Sequence, residues 1–289
     1  GRWRKCVRAC DQAEEILRDR CTGVAWEINT ARTFAEWGLF WLGEVDELKR
    51  RLPLLLAEAE RRGNLYALAN LGTFAKPLVS IAADDPDAAE WDLRELTGAW
   101  SRKSFHVQHL TGLLGQGQID LYRGHGTVAH QRLMQQWPAL AGSLLLRVQQ
   151  VRIFMRHLRA RCALAASEQA ADPGPLLRSA ARDARGLEKE KIAWADALAQ
   201  VLRAGISAAC QDWERTVALL ETAIARLDAV DMALFAASAR RRLGVLLGGE
   251  RGRRLVAEAD SWMAGQGIRN PARMAILHTP GFPSGEVRS

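Results

Sequence analysis

Cys210-Gln211-Asp212-Trp213-Glu214-Arg215-Thr216 is the stretch whose reading decides the fold. Before it, residues 193–209 are rich in Ala and Leu, strong helix formers. After it, Val217, Leu220 and Ala223 continue an apolar stripe at helical spacing. Only Cys210, Gln211 and Asp212 separate the two helices, so the second must fold back beside the first. Asp212 suits the positive end of the second helix dipole. The unit is a helical hairpin, and its punctuation recurs at Leu42-Gly43-Glu44, Ala83-Asp84-Asp85-Pro86-Asp87, Arg123-Gly124-His125-Gly126 and Leu247-Gly248-Gly249-Glu250. Gly at such a turn supplies the left-handed cap that ends the first helix.

Anchored on Gly43, Asp84, Gly124, Gln211 and Gly249, the turns are spaced by 41, 40, 87 and 38 residues. The 87 spans two periods, with a missing anchor near Ser167 inside an expanded loop that runs to Pro175. A period of about 40 residues with two helices in each marks a helical-hairpin solenoid. One hairpin cannot bury its apolar face alone, so neighbours must stack. The fold class expected is all-α, a right-handed α-solenoid of about six hairpins, with a concave groove lined by the first helix of each pair.

Helices are predicted over 26–42, 47–61, 64–82, 88–100, 105–122, 127–136, 176–187, 193–209, 213–227, 232–247 and 253–265. The clearest stripe, Leu144, Val148, Val151, Met155, Leu158 and Cys162, predicts one more helix of about twenty residues. Cys6, Cys10, Ala13 and Leu17 mark the first segment. No partner helix precedes them and the sequence has no initiating Met, so residues 1–22 are expected to be the second helix of a partial hairpin. Residues 23–267 form the repeats and 268–289 a C-terminal tail.

The motif inside each unit resembles the tetratricopeptide family, whose hallmark is Gly-Asp-aromatic-x-x-Ala followed by further small and large apolar positions. Gln211-Asp212-Trp213-Glu214-Arg215-Thr216 fits it with two substitutions, Gly124-His125-Gly126-Thr127-Val128-Ala129 more loosely, and Gly43 to Leu48 keeps little beyond the Gly and an acid. With a period longer than the usual ~34 residues, this looks like a divergent variant.

A second likeness lies in Asp231-Met232-Ala233-Leu234-Phe235, Ala239-Arg240-Arg241-Arg242-Leu243-Gly244, Ala259-Asp260-Ser261-Trp262-Met263 and Gln266-Gly267-Ile268-Arg269-Asn270-Pro271. These are similar to the C-terminal region of multidomain bacterial serine/threonine protein kinases of myxobacterial type. Residues from Asp11 to Gly43 match the same region, so the resemblance covers most of the chain. It implies a non-catalytic module following kinase and ATPase-like domains, with those domains as candidate partners.

Composition closes off other classes. Of 289 residues, 48% are hydrophobic and 25% charged, so the chain is globular. No apolar run approaches a membrane span, and the N-terminus lacks the apolar core of a signal peptide. Five scattered Cys argue against a disulfide scaffold and for a reducing cytoplasm. The Gly-rich phosphate loop, the His-Arg-Asp loop, the Asp-Phe-Gly motif and a Walker A sequence are all missing. Neither enzyme chemistry nor a cofactor is therefore expected.

The formal net charge of +7 is unevenly placed: residues 1–140 hold 18 basic and 18 acidic side chains, and residues 141–289 hold 22 and 15. Arg152, Arg156 and Arg159 each follow a stripe residue by one position and form a row beside the core face. They are either groove contacts for carboxylates or phosphopeptides, or partners of acids on the next hairpin. Arg240, Arg241, Arg242, Arg251, Arg253 and Arg254 form a C-terminal basic patch. It supports a rival reading as a nucleic-acid-binding repeat, though no DNA-binding motif accompanies it.

Phe34, Trp37 and Trp41 share a helix face and read either as an aromatic wall for a peptide or as core knobs. The core reading is favoured because aromatic burial dominates stability in such folds. His106 and His109 lie at i, i+3 without a third metal ligand near in sequence; His125 and His130 belong to the following turn and helix. Cys6 and Cys10 read as small core residues, and Cys21 follows Arg18 and Arg20 without other marks of a nucleophile. The function expected is a protein-interaction or sensor module that binds a protein segment or regulates a parent kinase.

Overall fold

The computed structural model describes residues 1–98 and 105–282. Its elements are α1 (Trp3–Arg20), α2 (Ala25–Leu42), α3 (Val45–Arg61), α4 (Leu65–Phe74), α5 (Lys76–Ala82), α6 (Pro86–Gly98), α7 (Val107–Tyr122), α8 (Gly126–Gly142), a short 3-10 turn (Leu144–Arg147), α9 (Gln149–Ser167), α10 (Gly174–Glu188), α11 (Ala193–Ala209), α12 (Trp213–Ala229), α13 (Ala233–Leu247), α14 (Gly249–Gly265) and α15 (Pro271–His278). The described chain is all-α. Asn64, Asp212 and Asn270 cap α4, α12 and α15, each accepting from a backbone N–H three residues on. Gly43 ends α2 with φ 79°, its N–H returning to Leu39 O at 3.0 Å. Asp84 and Gln211 take the same left-handed conformation with side chains present, φ 56° and 60°.

Each helix packs against its neighbours in sequence, and α2, α4, α7, α9 and α11 also touch in series. These five, with α13, carry most of the buried residues, on more than one face. In contrast, α1, α3, α6, α8, α10, α12 and α14 bury a single stripe each. The result is two layers, inner and outer. The series also comes back on itself, because α2 contacts α13. Trp41 of α2 stacks on Phe235 of α13 at 5.3 Å, and Arg4 of α1 pairs with Asp231.

Aromatic side chains fill the space where these helices meet. Trp41 also lies 4.8 Å from Phe154 and 5.4 Å from Trp194, while Trp37 packs on Phe74 and Phe154. Offset and edge-to-face ring pairs of this kind add about 0.5–1.5 kcal/mol each beyond area burial.

The sequence reading needs correction in four places. The segment expected as one helix over 64–82 is two, α4 and α5, set at 40° across Ala75. Pro77 has no N–H to give and its ring crowds the preceding turn. The stripe from Leu144 to Cys162 does not lie on one helix, because α9 begins at Gln149 and Leu144 is 68% exposed. Ser143 and Val148 are extended and interrupt it. In α1, Trp3 and Val7 are buried, whereas Cys6, Cys10, Ala13 and Leu17 are only half-buried. Lastly, the stretch expected as a tail from 268 contains α15 and a non-helical run, Thr279–Phe282, buried throughout. Residues 283–289 of that tail, and 99–100 of the helix expected over 88–100, lie outside the described residues.

Candidate functional site

The inner face is not an open groove. The aromatic cluster covers part of it, and α15 with Thr279–Phe282 lies across the rest. This segment crosses four inner helices and is held through its main chain as well as through the buried side chains of Met274, Leu277, His278 and Phe282. Arg161 of α9 donates to Leu277 O at 3.2 Å, and Arg242 of α13 donates to Thr279 O at 3.2 Å. Gly281 N donates to Glu168 Oε1 at 2.8 Å, at the end of α9. On α11, Gly205 has no Cβ at the point where one would lie 2.5 Å from Pro280 O. Against α7, Arg273 sits over the Tyr122 ring and pairs with Asp84, which also accepts from Asn270 Nδ2. Arg269 N donates to Ala82 O at 2.8 Å.

The electrostatics of this seam are unusual. Burial pulls the Arg161 guanidinium down to about 10, and desolvation does the same to Arg242. His157 and His278 are fully buried and held well below the ordinary histidine value, first by desolvation and then by Arg161. Both imidazoles are therefore neutral at pH 7. Among the described residues, neither nitrogen of His278 has a hydrogen-bond partner, nor do His157 Nε2 and Arg161 Nε.

The residues singled out from sequence fall elsewhere. Trp37 and Trp41 are 8% and 3% exposed, so they are core knobs and not an open partner-binding wall; Phe34 reaches the surface beside them. A cleft of about 320 Å³ opens there, lined by Trp3, Phe34, Trp37, Ile153, Ile192 and Trp194. The row Arg152, Arg156 and Arg159 is engaged within the molecule. Arg152 makes two bonds to Glu190 at 2.6 Å, Arg156 bonds Glu190 and Gly186 O at 3.0 Å, and Arg159 clasps Asp183 at 2.6 and 2.7 Å while stacking on Trp137. Arg152 holds the Glu190 carboxyl below the usual carboxylate range. Asp183 lies on α10 and Glu190 just past its end, so the row staples α9 to α10 and to the turn that follows it.

The C-terminal basic patch is likewise partitioned. Arg240, Arg241 and Arg251 pair with Asp228, Asp260 and Glu221, Arg242 turns to Thr279, and Arg253 and Arg254 are exposed, with Glu258 3.9 Å from Arg254. His106 and His109 stack, and His109 Nδ1 accepts from His106 N. Among the described residues no group of three His, Cys, Asp or Glu is placed to hold a metal. No single described helix is long and apolar enough to cross a membrane.

Sequence reasoning missed the C-terminal segment. Its signal was present in Met274, Ala275, Leu277 and His278 followed by Pro280-Gly281-Phe282, a run too apolar for a loose tail. No family model, curated protein or solved structure matches the chain.

Proposed function

We propose that this chain is a non-catalytic protein-interaction module, a divergent tetratricopeptide-like right-handed solenoid of about six hairpins from a cytoplasmic bacterial signalling protein. The pairs α2/α3, α4/α6, α7/α8, α9/α10, α11/α12 and α13/α14 supply the hairpins of this reading, with α1 as an outer helix before them. One observation carries it: the inner layer holds a short chain segment by its carbonyls and N–H groups, which is what recognition of a peptide requires. The motif likeness to kinase C-terminal regions makes the catalytic domains of a parent serine/threonine kinase the partner of choice.

The test is a titration of the chain with the purified parent kinase domain, following binding by calorimetry and kinase autophosphorylation in parallel. Saturable micromolar binding with a changed phosphorylation rate is the expected outcome. No heat and no rate change at 100 µM, about 100-fold above a micromolar Kd, rejects the kinase as partner.

A further inference from the structure

A terminal helix that merely closed a helix array would pack through side chains alone, ridge into groove. The segment 271–282 does more. Past His278 it continues as non-helical chain, and the inner face meets it at backbone atoms: Leu277 O, Thr279 O, Pro280 O and Gly281 N. Arg161, Arg242, Glu168 and Gly205 make these contacts from three different inner helices or their ends. They therefore form a cradle for a main chain, beside the apolar core that takes up Met274, Leu277 and Phe282.

The same seam leaves buried polar atoms unmet. Of nine buried side-chain polar atoms without a partner among the described residues, four belong to His157, Arg161 and His278. Among the described residues, Gln108 of the inner layer donates to Asn70 Oδ1 and Thr73 bonds Thr111, whereas Glu36 Oε1, Gln118 Oε1 and the ring nitrogens of Trp37 and Trp41 are likewise unmet. A buried polar atom without a partner costs about 1–3 kcal/mol, and water meets the four of the seam when it opens.

We propose that residues 271–282 are an exchangeable, self-supplied occupant of a peptide-binding face, and that they give way to a partner segment of the same chemistry, a short apolar helix followed by a Pro-Gly step. The proposal rests on the interaction reading above and specifies the site and its ligand. Release of the segment uncovers Arg161, Arg242, Glu168 and Gly205 together, so the free module is self-blocked and an incoming segment must outcompete it.

Hydrogen exchange on the whole chain tests the first half. Amides of residues 274–281 are expected to exchange at least about tenfold faster than those of α11 and α13, a difference of about 1.4 kcal/mol in opening. Equal rates make α15 an integral part of the core and overturn the proposal. The second half uses a fluorescent peptide of residues 270–282. A Leu277→Asp chain, whose own segment is expelled by a buried charge, is expected to bind it at least about tenfold more tightly than the wild-type chain. Adding Gly205→Ala, which puts a methyl against Pro280 O, is expected to abolish that binding while α11 stays helical.

A folded Leu277→Asp chain that binds no peptide overturns the proposal. If that variant does not fold, the wild-type exchange rates decide. A chain that exchanges its segment yet ignores the kinase domain removes that partner and keeps the site; kinase binding with equal exchange rates does the reverse.

Discussion

Arg159 illustrates how this molecule spends its basic residues. Its guanidinium is fixed in two directions, by a bidentate bond to Asp183 and by the face of Trp137. Asp183 is 3% exposed at its side chain, so removing the arginine leaves a buried carboxylate without a counter-charge. Arg159→Ala is expected to lower unfolding free energy by about 3 kcal/mol in urea titration. Arg159→Lys recovers little of it, because an ammonium neither forks nor stacks.

Glu36 presents the opposite case. It is fully buried on α2, desolvation raises its carboxyl well above the ordinary 4.5, and Arg51 and Arg32 only partly offset this. A raised folded-state value means the native chain binds the extra proton. Its contribution to stability is whole below pH 4.5 and is lost as pH rises through the folded-state value. Glu36→Gln is expected to remove that slope, read as a flatter stability-versus-pH curve from urea midpoints.

Helices and their turns were legible because their signals are local. Gly43, Asp84, Gly124 and Gln211 sit at left-handed turns, where a short connection reverses the chain. The break within 64–82 was legible only in Pro77, and the apolar run around it masked the signal. Leu144 and Val148 misled because periodicity counts spacing and cannot see that Ser143 and Val148 are extended. What the helices bury was not legible, since Trp41, Arg161 and His278 meet partners far away in sequence.

At this scale acid has a defined effect on α15. The charged and titratable groups acting on His278 are Arg161 and His157 of α9; Glu168 and Arg242 hold the main chain just after it, and Arg273 of α15 itself pairs with Asp84 and lies over Tyr122 of α7. Both histidines are neutral when closed and protonate freely when open. Their lowered values mean that the open form binds more protons, so the closed form loses stability as pH falls through 6.5. Exchange of the 274–281 amides, corrected for intrinsic rates, is expected to speed up between pH 7 and 5.5. His278→Leu is expected to suppress that acceleration.

For the whole molecule, the +7 charge carries less outward pull than its size suggests. Much of the excess in the second half is tied to acids on adjacent helices, and Arg161 and Arg242 face inward. Few arginines remain grouped to neutralise phosphates together. Binding to mixed-sequence RNA or DNA is expected to be absent at 150 mM salt by fluorescence anisotropy; tight binding with a steep salt slope favours the nucleic-acid reading instead.

The contact of α2 with α13 and of α15 with α7 also ties distant parts of the chain together. Unlike an open array, in which each unit leans only on its neighbours, this chain is expected to unfold in one transition. Far-ultraviolet dichroism and tryptophan fluorescence should then give the same urea midpoint, and separated midpoints would show independent halves.

The stacking of Trp41 on Phe235 sets a schedule for the ribosome. The two residues lie 194 positions apart, and at ~5–20 residues per second that interval takes roughly 10–40 s. Throughout it, α2 is complete while a helix that shields Trp41 has not been made. Phe74, Phe154 and Trp194 emerge first and cover this tryptophan-rich face in steps, so part of it stays open until α13 is made, a period in which chaperones have something to hold and crowded ribosomes have something to cross-associate.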